Sequence, residues 1–258
     1  GTAAAFAAGE LGAKVVGLEK KGLPGGTGNF SEGIFAVGTK MQRDYYIPLT
    51  KDETFKKIMN YGHWRSNARL VRAIVDKSAD TVDWMIKHGV KFEKLTTNYP
   101  GGLYTWHIYE GRGAGWINLF QKKSKSDYGV EVLFNTPAEK LLMKDGKVAG
   151  VIAKDKDGNT VTVNAKAVII ATGGFADNPE MMKKYARFPN TDGLAQSGKN
   201  GVGIQMAWSA GGGKEGLDVQ QSYRPGPRGV GTTNHVSATA KQPHLWLTPG
   251  GDRFCDET

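Results

Sequence analysis

The chain has 258 residues, enough to bury a sizeable core as one or two domains, and 39% of them are apolar. The formal net charge of +9 invites an anionic partner, yet the basic residues are dispersed, and the densest cluster, Lys122-Lys123-Ser124-Lys125, closes a predicted helix; a solvated surface explains the charge better than a nucleic-acid partner does. One cysteine, Cys255, excludes an intramolecular disulfide framework, a multi-cysteine zinc site and an iron–sulfur cluster held by this chain alone, and no run approaches the roughly 20 apolar residues that span a bilayer.

Thr2 to Leu11 is alanine-rich and reads as a helix stopped by Gly12, with a strand over Ala13 to Leu18. The glycine-rich run Gly22-Leu23-Pro24-Gly25-Gly26-Thr27-Gly28-Asn29 then predicts a loop, either for a ligand or as a long turn. Helices follow over Asp52 to Tyr61 and Asn67 to His88; the second carries an apolar stripe of Leu70, Val71, Ile74, Val75, Val82 and Ile86, with Gly89 as its cap. Tyr99, Tyr104, Trp106 and Tyr109 form an aromatic cluster that suits core packing better than a pocket. His63, His88 and His107 are most simply structural.

Gly115 to Lys125 reads as a helix. Val130 to Phe134, Ala138 to Met143, Val148 to Lys154 and Thr160 to Asn164 read as short strands, and the turns Lys144-Asp145-Gly146 and Lys156-Asp157-Gly158-Asn159 predict a meander of hairpins. Val168 to Ala171 reads as a buried strand, followed by helices over Asn178 to Tyr185 and Gly203 to Ala210. Gly211 to Lys241 predicts loop, and His244 to Leu247 a last strand.

Two of these segments belong together chemically. Gly1-Thr2-Ala3-Ala4-Ala5 opens a helix whose free N–H groups and dipole suit a pyrophosphate, and Glu19 ends the next strand, where an acidic residue binds a ribose hydroxyl. Ile170-Ala171-Thr172-Gly173-Gly174 breaks a β-branched run into small residues that let backbone approach a flat cofactor. In this order they read as two walls of a dinucleotide site of the flavin kind. The competing accounts are a packing glycine at Gly1, a surface carboxylate at Glu19 and a solvated Lys20 rather than an adenosine contact.

Here the residues resemble the flavoprotein subunit of the fumarate reductase/succinate dehydrogenase superfamily, above all its soluble FAD-dependent members such as fumarate and urocanate reductases. The resemblance covers nearly the whole chain: Gly1 to Ala5, Val15 to Lys20, Gly25-Gly26-Thr27 with Ser31 and Gly33, Asn164 to Phe175 with Asn178-Pro179-Glu180, and Gly251 to Glu257. It implies an α/β fold, a Rossmann-like FAD-binding domain with a mostly parallel sheet plus a small antiparallel β-meander, truncated at both ends. The domain would run over 1–250, lacking its N-terminal strand, and 251–258 would begin a capping domain. The missing strand would lie between the one ending at Glu19 and the one ending at Ala171.

The resemblance further implies that Gly1, Glu19, Lys20, Gly25, Gly26, Thr27, Ser31, Gly33, Ala138, Ala171, Thr172, Gly173 and Gly174 contact FAD, Ala138 through its backbone to adenine. FAD would be non-covalent, because the glycine loop lacks the histidine that bonds flavin in membrane-bound members. His244 matches a substrate-carboxylate histidine and Glu257 a carboxylate of the proton relay. Gly201-Val202-Gly203 departs from the family, which carries an acidic residue between the two glycines.

The implied activity is hydride transfer from reduced flavin to the C=C bond of an unsaturated carboxylate. The implied partners are that small-molecule substrate and an electron-donor protein or domain carrying FMN or haem, with no nucleic acid and no membrane span. Dehydrogenation of a ketosteroid-like substrate and a non-catalytic flavin-binding fragment remain alternatives, and the isolated chain is expected to be inactive.

Overall fold

The computed structural model describes residues 1–97, 101–191, 198–220 and 245–254. The chain divides into two units, Gly1–Gly174 with Gly201–Gly216, and Phe175–Asn200 with Leu217–Thr258.

The first unit opens with α1 (Thr2–Glu10), whose small residues let it lie close to its neighbours. β1 (Val16–Leu18) pairs in parallel with β5 (Glu131–Leu133), matching Val16 with Glu131 and Leu18 with Leu133. Between them in sequence lie a 3₁₀ turn (Gly26–Phe30), β2 (Gly33–Phe35), α2 (Lys40–Asp44), α3 (Lys51–Tyr61), α4 (Ala68–Lys87), β3 (Phe92–Thr96), β4 (Trp106–Tyr109) and α5 (Arg112–Tyr128). Capping boxes start α2 and α3, Thr39 with Gln42 and Thr50 with Glu53, so each helix entry satisfies its own first amides. Asn67 caps α4 by accepting the Leu70 N–H at 3.1 Å.

β2, β4 and β3 form an antiparallel sheet in that order. The sequence does not announce it: the strands are short, and β2 begins at a glycine. β6 (Ala138–Lys144), β7 (Lys147–Lys154) and β8 (Thr160–Asn164) form the expected meander. Asp145 (φ 49°) and Gly146 (φ 73°) make its first turn, the left-handed pair that a two-residue hairpin requires.

Phe6 is fully buried and stacks on Phe120 of α5 at 4.3 Å, with Trp84 of α4 edge-on at 5.6 Å. Met85, Val90 and Tyr109 complete this cluster, so α1 is held by α4, α5 and β4 together. Burying one such ring contributes about 1.5–3 kcal/mol. A second cluster joins Leu141 and Val151 of the meander to Met206 of α7 (Val202–Ser209), with Leu18 and Val168 packed against it.

Two expectations need correction. Val168 to Ala171 joins no ladder among the described residues, and Ile169 is 69% exposed. The apolar run has the composition of a covered strand, but no described neighbour hydrogen-bonds to it or covers its outer face. On α4 the stripe is displaced: Leu70, Ile74 and Ile86 are exposed, while Ser78 and Ala79 join Val75, Val82 and Met85 inside.

In the second unit, α6 (Pro179–Tyr185) is capped by Asn178, whose side chain accepts the Met181 N–H at 3.0 Å. Asp177 Oδ2 accepts the Lys199 N–H at 2.6 Å, and Leu247 bridges Arg253. No helix among the described residues is long and apolar enough to cross a membrane.

Candidate nucleotide site

The first residue expected to contact a nucleotide by its side chain, Glu19, lies at the C-terminal end of β1. Glu19 follows Leu18 directly and is fixed on both sides of its backbone: its N–H donates to Leu133 O and its carbonyl accepts the Thr136 N–H, each at 2.9 Å. Its Oε1 accepts the Lys21 N–H at 2.8 Å, which turns the carboxylate back over the strand end. Glu19 is half-buried, and Lys20 beside it is exposed.

Gly1 is the N-cap of α1 and makes no side-chain cap to the first amides of the helix. A Cβ on Gly1 would lie 4.0 Å from Ala171 Cβ. Gly1 and Ala171 are therefore neighbours.

Beyond Ala171, Thr172 packs so closely on Gly203 that a side chain there would overlap its Oγ1. Gly173 is left-handed (φ 81°), and Gly174 O accepts the N–H of Gly201 at 3.2 Å. This places the Ala-Thr-Gly-Gly segment against the start of α7. Gly203 is forced by this approach, so a second function is not needed to account for it.

The glycine loop folds as a 3₁₀ turn, where the sequence left open a ligand loop or a long turn. Gly25 (φ 98°) and Gly26 (φ 49°) are left-handed, and a Cβ on Gly25 would sit 2.6 Å from Asn29 Oδ1. Asn29 Nδ2 donates to Pro24 O at 2.8 Å, and Ser31 Oγ to Gly28 O at 2.7 Å, so the loop's side chains close it on itself. Thr27 is exposed. Gly33 starts β2 under the ring of Trp106, whose Nε1 would be 2.8 Å from an added Cβ. Ala138 opens β6 opposite Ala153 and packs toward the cluster that includes Leu18.

Sequence reasoning missed the support behind β2. His107 is fully buried on β4; its Nε2 lies 2.8 Å from Thr39 Oγ1 and its Nδ1 3.2 Å from Thr105 O. Gln42 Nε2 donates to Tyr104 O at 2.7 Å and Ala36 O at 3.3 Å, while its Oε1 accepts the Thr39 N–H at 3.0 Å. Ser78 Oγ accepts the Val37 N–H at 3.0 Å, which ties α4 to the same segment. The signals in the sequence are the reading of His107 as structural and the Thr39-to-Gln42 spacing of a capping box. His244 and Glu257 lie outside the described residues, as does Tyr99, and no group of three His, Cys, Asp or Glu among the described residues could hold a metal.

Comparison with known proteins shows the family of the chain. The chain is similar to a vinyl phenol reductase from Lactiplantibacillus plantarum, 35% identical over 268 residues that cover 100% of this chain and 54% of that protein. It is 29% identical to a urocanate reductase from Eggerthella lenta, covering 100% of this chain and 44% of the relative. It spans about half the length of these two curated relatives. An open-conformation structure of a flavocytochrome c3 fumarate reductase superposes with a TM-score of 0.73 at 26% identity, covering 81% of this chain and 38% of the other. The sequence model of the FAD binding domain family matches from residue 1 to residue 257, so the chain belongs to that family.

Proposed function

We propose that this chain is the FAD-binding portion of an oxidoreductase that reduces the C=C bond of an unsaturated carboxylate. The observation that carries this reading is the approach of Gly1, at the start of α1, to Ala171, with Glu19 directly following β1. FAD, when bound, supplies the hydride; the protein's part is to hold, orient and shield. The open amides at the start of α1 take the pyrophosphate, and the Glu19 carboxylate accepts a ribose hydroxyl. Lys20 lies along the adenosine, and Ala138 offers its backbone to the adenine. Gly25, Gly26, Thr27, Ser31 and Gly33 line the phosphate and flavin side, with Ala171, Thr172, Gly173 and Gly174 as the facing wall.

FAD is held without a covalent bond, since the stretch from Gly22 to Gly33 contains no histidine to form one. His244 binds the substrate carboxylate and Glu257 passes a proton; residues 1–250 constitute the cofactor domain, and 251–258 lead toward a cap. The similarity to a urocanate reductase and to a fumarate reductase structure supports the carboxylate substrate. A second reading, an alkene on a phenol ring, is favoured by the 35% identity to the vinyl phenol reductase. Electrons come from a partner protein or domain carrying FMN or haem.

Titrating the chain with FAD tests the cofactor role: quenched flavin fluorescence and a shifted visible band are expected, and an unchanged flavin spectrum would refute it. For the substrate, the protein containing this chain is supplied with reduced viologen and offered fumarate, urocanate and 4-vinylphenol. Oxidation of the dye with an enoate alone supports the first reading, with the vinylphenol alone the second, and with none refutes both.

A further inference from the structure

The sequence contains another glycine-rich run, Gly111-Arg112-Gly113-Ala114-Gly115, that the helix over this region does not explain. Glycine is a poor helix former, yet Gly113 and Gly115 both lie inside the first turns of α5. Gly111 (φ 72°) and Arg112 (φ 56°) are left-handed in succession, a conformation a non-glycine residue adopts only where its surroundings impose it. Their effect is to bring the first turn of α5 up against the 3₁₀ turn.

The approach is close. The Gly113 N–H donates to Ser31 O at 2.6 Å. A Cβ on Gly113 would overlap both Gly28 O and Ser31 Oγ, and one turn on, Ile117 Cδ1 would lie 3.0 Å from a Cβ on Gly28. Arg112 Nη1 stands 3.8 Å from Glu32 Oε1, on the residue that follows Ser31. Farther along, the same helix stacks Phe120 on Phe6 of α1. α5 thus fixes the helix that starts at Gly1 and the loop that holds Thr27 in one rigid frame.

We propose that Gly113 is a positioning residue for the cofactor: by having no side chain it sets the depth of the Gly25–Ser31 loop, and so the placement of the flavin end of FAD relative to the adenosine end. This rests on the reading of that loop as the flavin side of the site. Gly113 touches no ligand and acts through Gly28 and Ser31.

The test separates the two ends of the site with two probes. FAD spans the whole crevice, whereas ADP occupies the Gly1 and Glu19 end alone. Gly113→Ala, which must push the loop outward, is expected to weaken FAD binding about tenfold or more and to alter the visible band of bound flavin, while ADP affinity stays within about twofold. Gly129→Ala is the control for general damage to α5: Gly129 is left-handed (φ 64°) at the other end of the helix, with nothing within 4 Å of an added Cβ. It should lower thermal stability without separating the two ligands. Equal losses of FAD and ADP in Gly113→Ala, or FAD binding like the parent's, would overturn the inference and leave the cofactor assignment standing. A parent chain that binds neither nucleotide would overturn both.

Discussion

Glu10 and His88 meet at 2.9 Å, Oε1 to Nε2, and join the last turn of α1 to the end of α4. The other carboxylate oxygen of Glu10 accepts the Trp84 indole N–H at 2.8 Å, and Lys87 Nζ stands 3.8 Å from Oε1. The Trp84 hydrogen bond is the largest cause that holds the Glu10 carboxyl below its ordinary value; burial opposes it and His88 adds to it. Because the folded value is depressed, this group's stabilisation is present above pH 4.5 and is lost as pH falls through the folded value. Chemical melts at pH 6 and pH 3.5 should therefore differ less in Glu10→Gln than in the parent. Glu10→Ala should cost about 1–3 kcal/mol at pH 6, because the Trp84 N–H loses its partner.

His107 supplies the second pH effect. Burial lowers its basicity, partly offset by hydrogen bonds to the carbonyls of Thr105 and Ile34. A histidine that is harder to protonate when folded stabilises the native state fully above its unfolded value, 6.5, and progressively less as pH drops below it. The parent should lose stability between pH 7 and pH 5, and His107→Gln should flatten that slope while lowering stability at pH 7 by about 1–3 kcal/mol. An unchanged slope in the variant would refute the neutral, buried assignment.

Glu19→Gln keeps the backbone bonds to Leu133 and Thr136 and removes only the charge. FAD affinity should fall about 10- to 100-fold, the worth of a charge-assisted hydrogen bond. Thermal unfolding without ligand should stay within about 0.5 kcal/mol of the parent. Flavin fluorescence titration and a melting curve measure the two effects separately.

Gly203→Ala places a methyl group against Thr172 Oγ1 and 2.6 Å from Ile170 Cγ2. Overpacking of this kind costs about 1–3 kcal/mol, and here it must also displace the wall at Thr172. FAD binding and stability should both fall, and adding Thr172→Ala should restore part of the stability by making room. A double variant no better than the single one would show that the contact is not what limits the site.

The parts of the molecule written in local chemistry were legible from the chain alone. Asp145-Gly146 announces a hairpin because few other pairs accept its backbone, and Asn178-Pro179 announces a helix start for the same kind of reason. The strand that ends before Glu19 was legible from its short apolar run after a small-residue helix. The β2–β4–β3 sheet was not legible, since Gly33 looks like a turn residue until Trp106 is seen lying over it. Gly113 reads as a helix flaw until Gly28 is found against it. Val168 to Ala171 shows the opposite error: composition states what a segment would bury, and only its neighbours decide whether it is covered.

Leu18 at the end of β1 and Val168 lean on one cluster, while Ile169 stands in solvent and β1 hydrogen-bonds, among the described residues, to β5 alone. Such a margin is a template for another β-segment. A β-segment paired with Val16–Leu18 on that side would end next to Glu19, so it would bear directly on the proposed ribose contact.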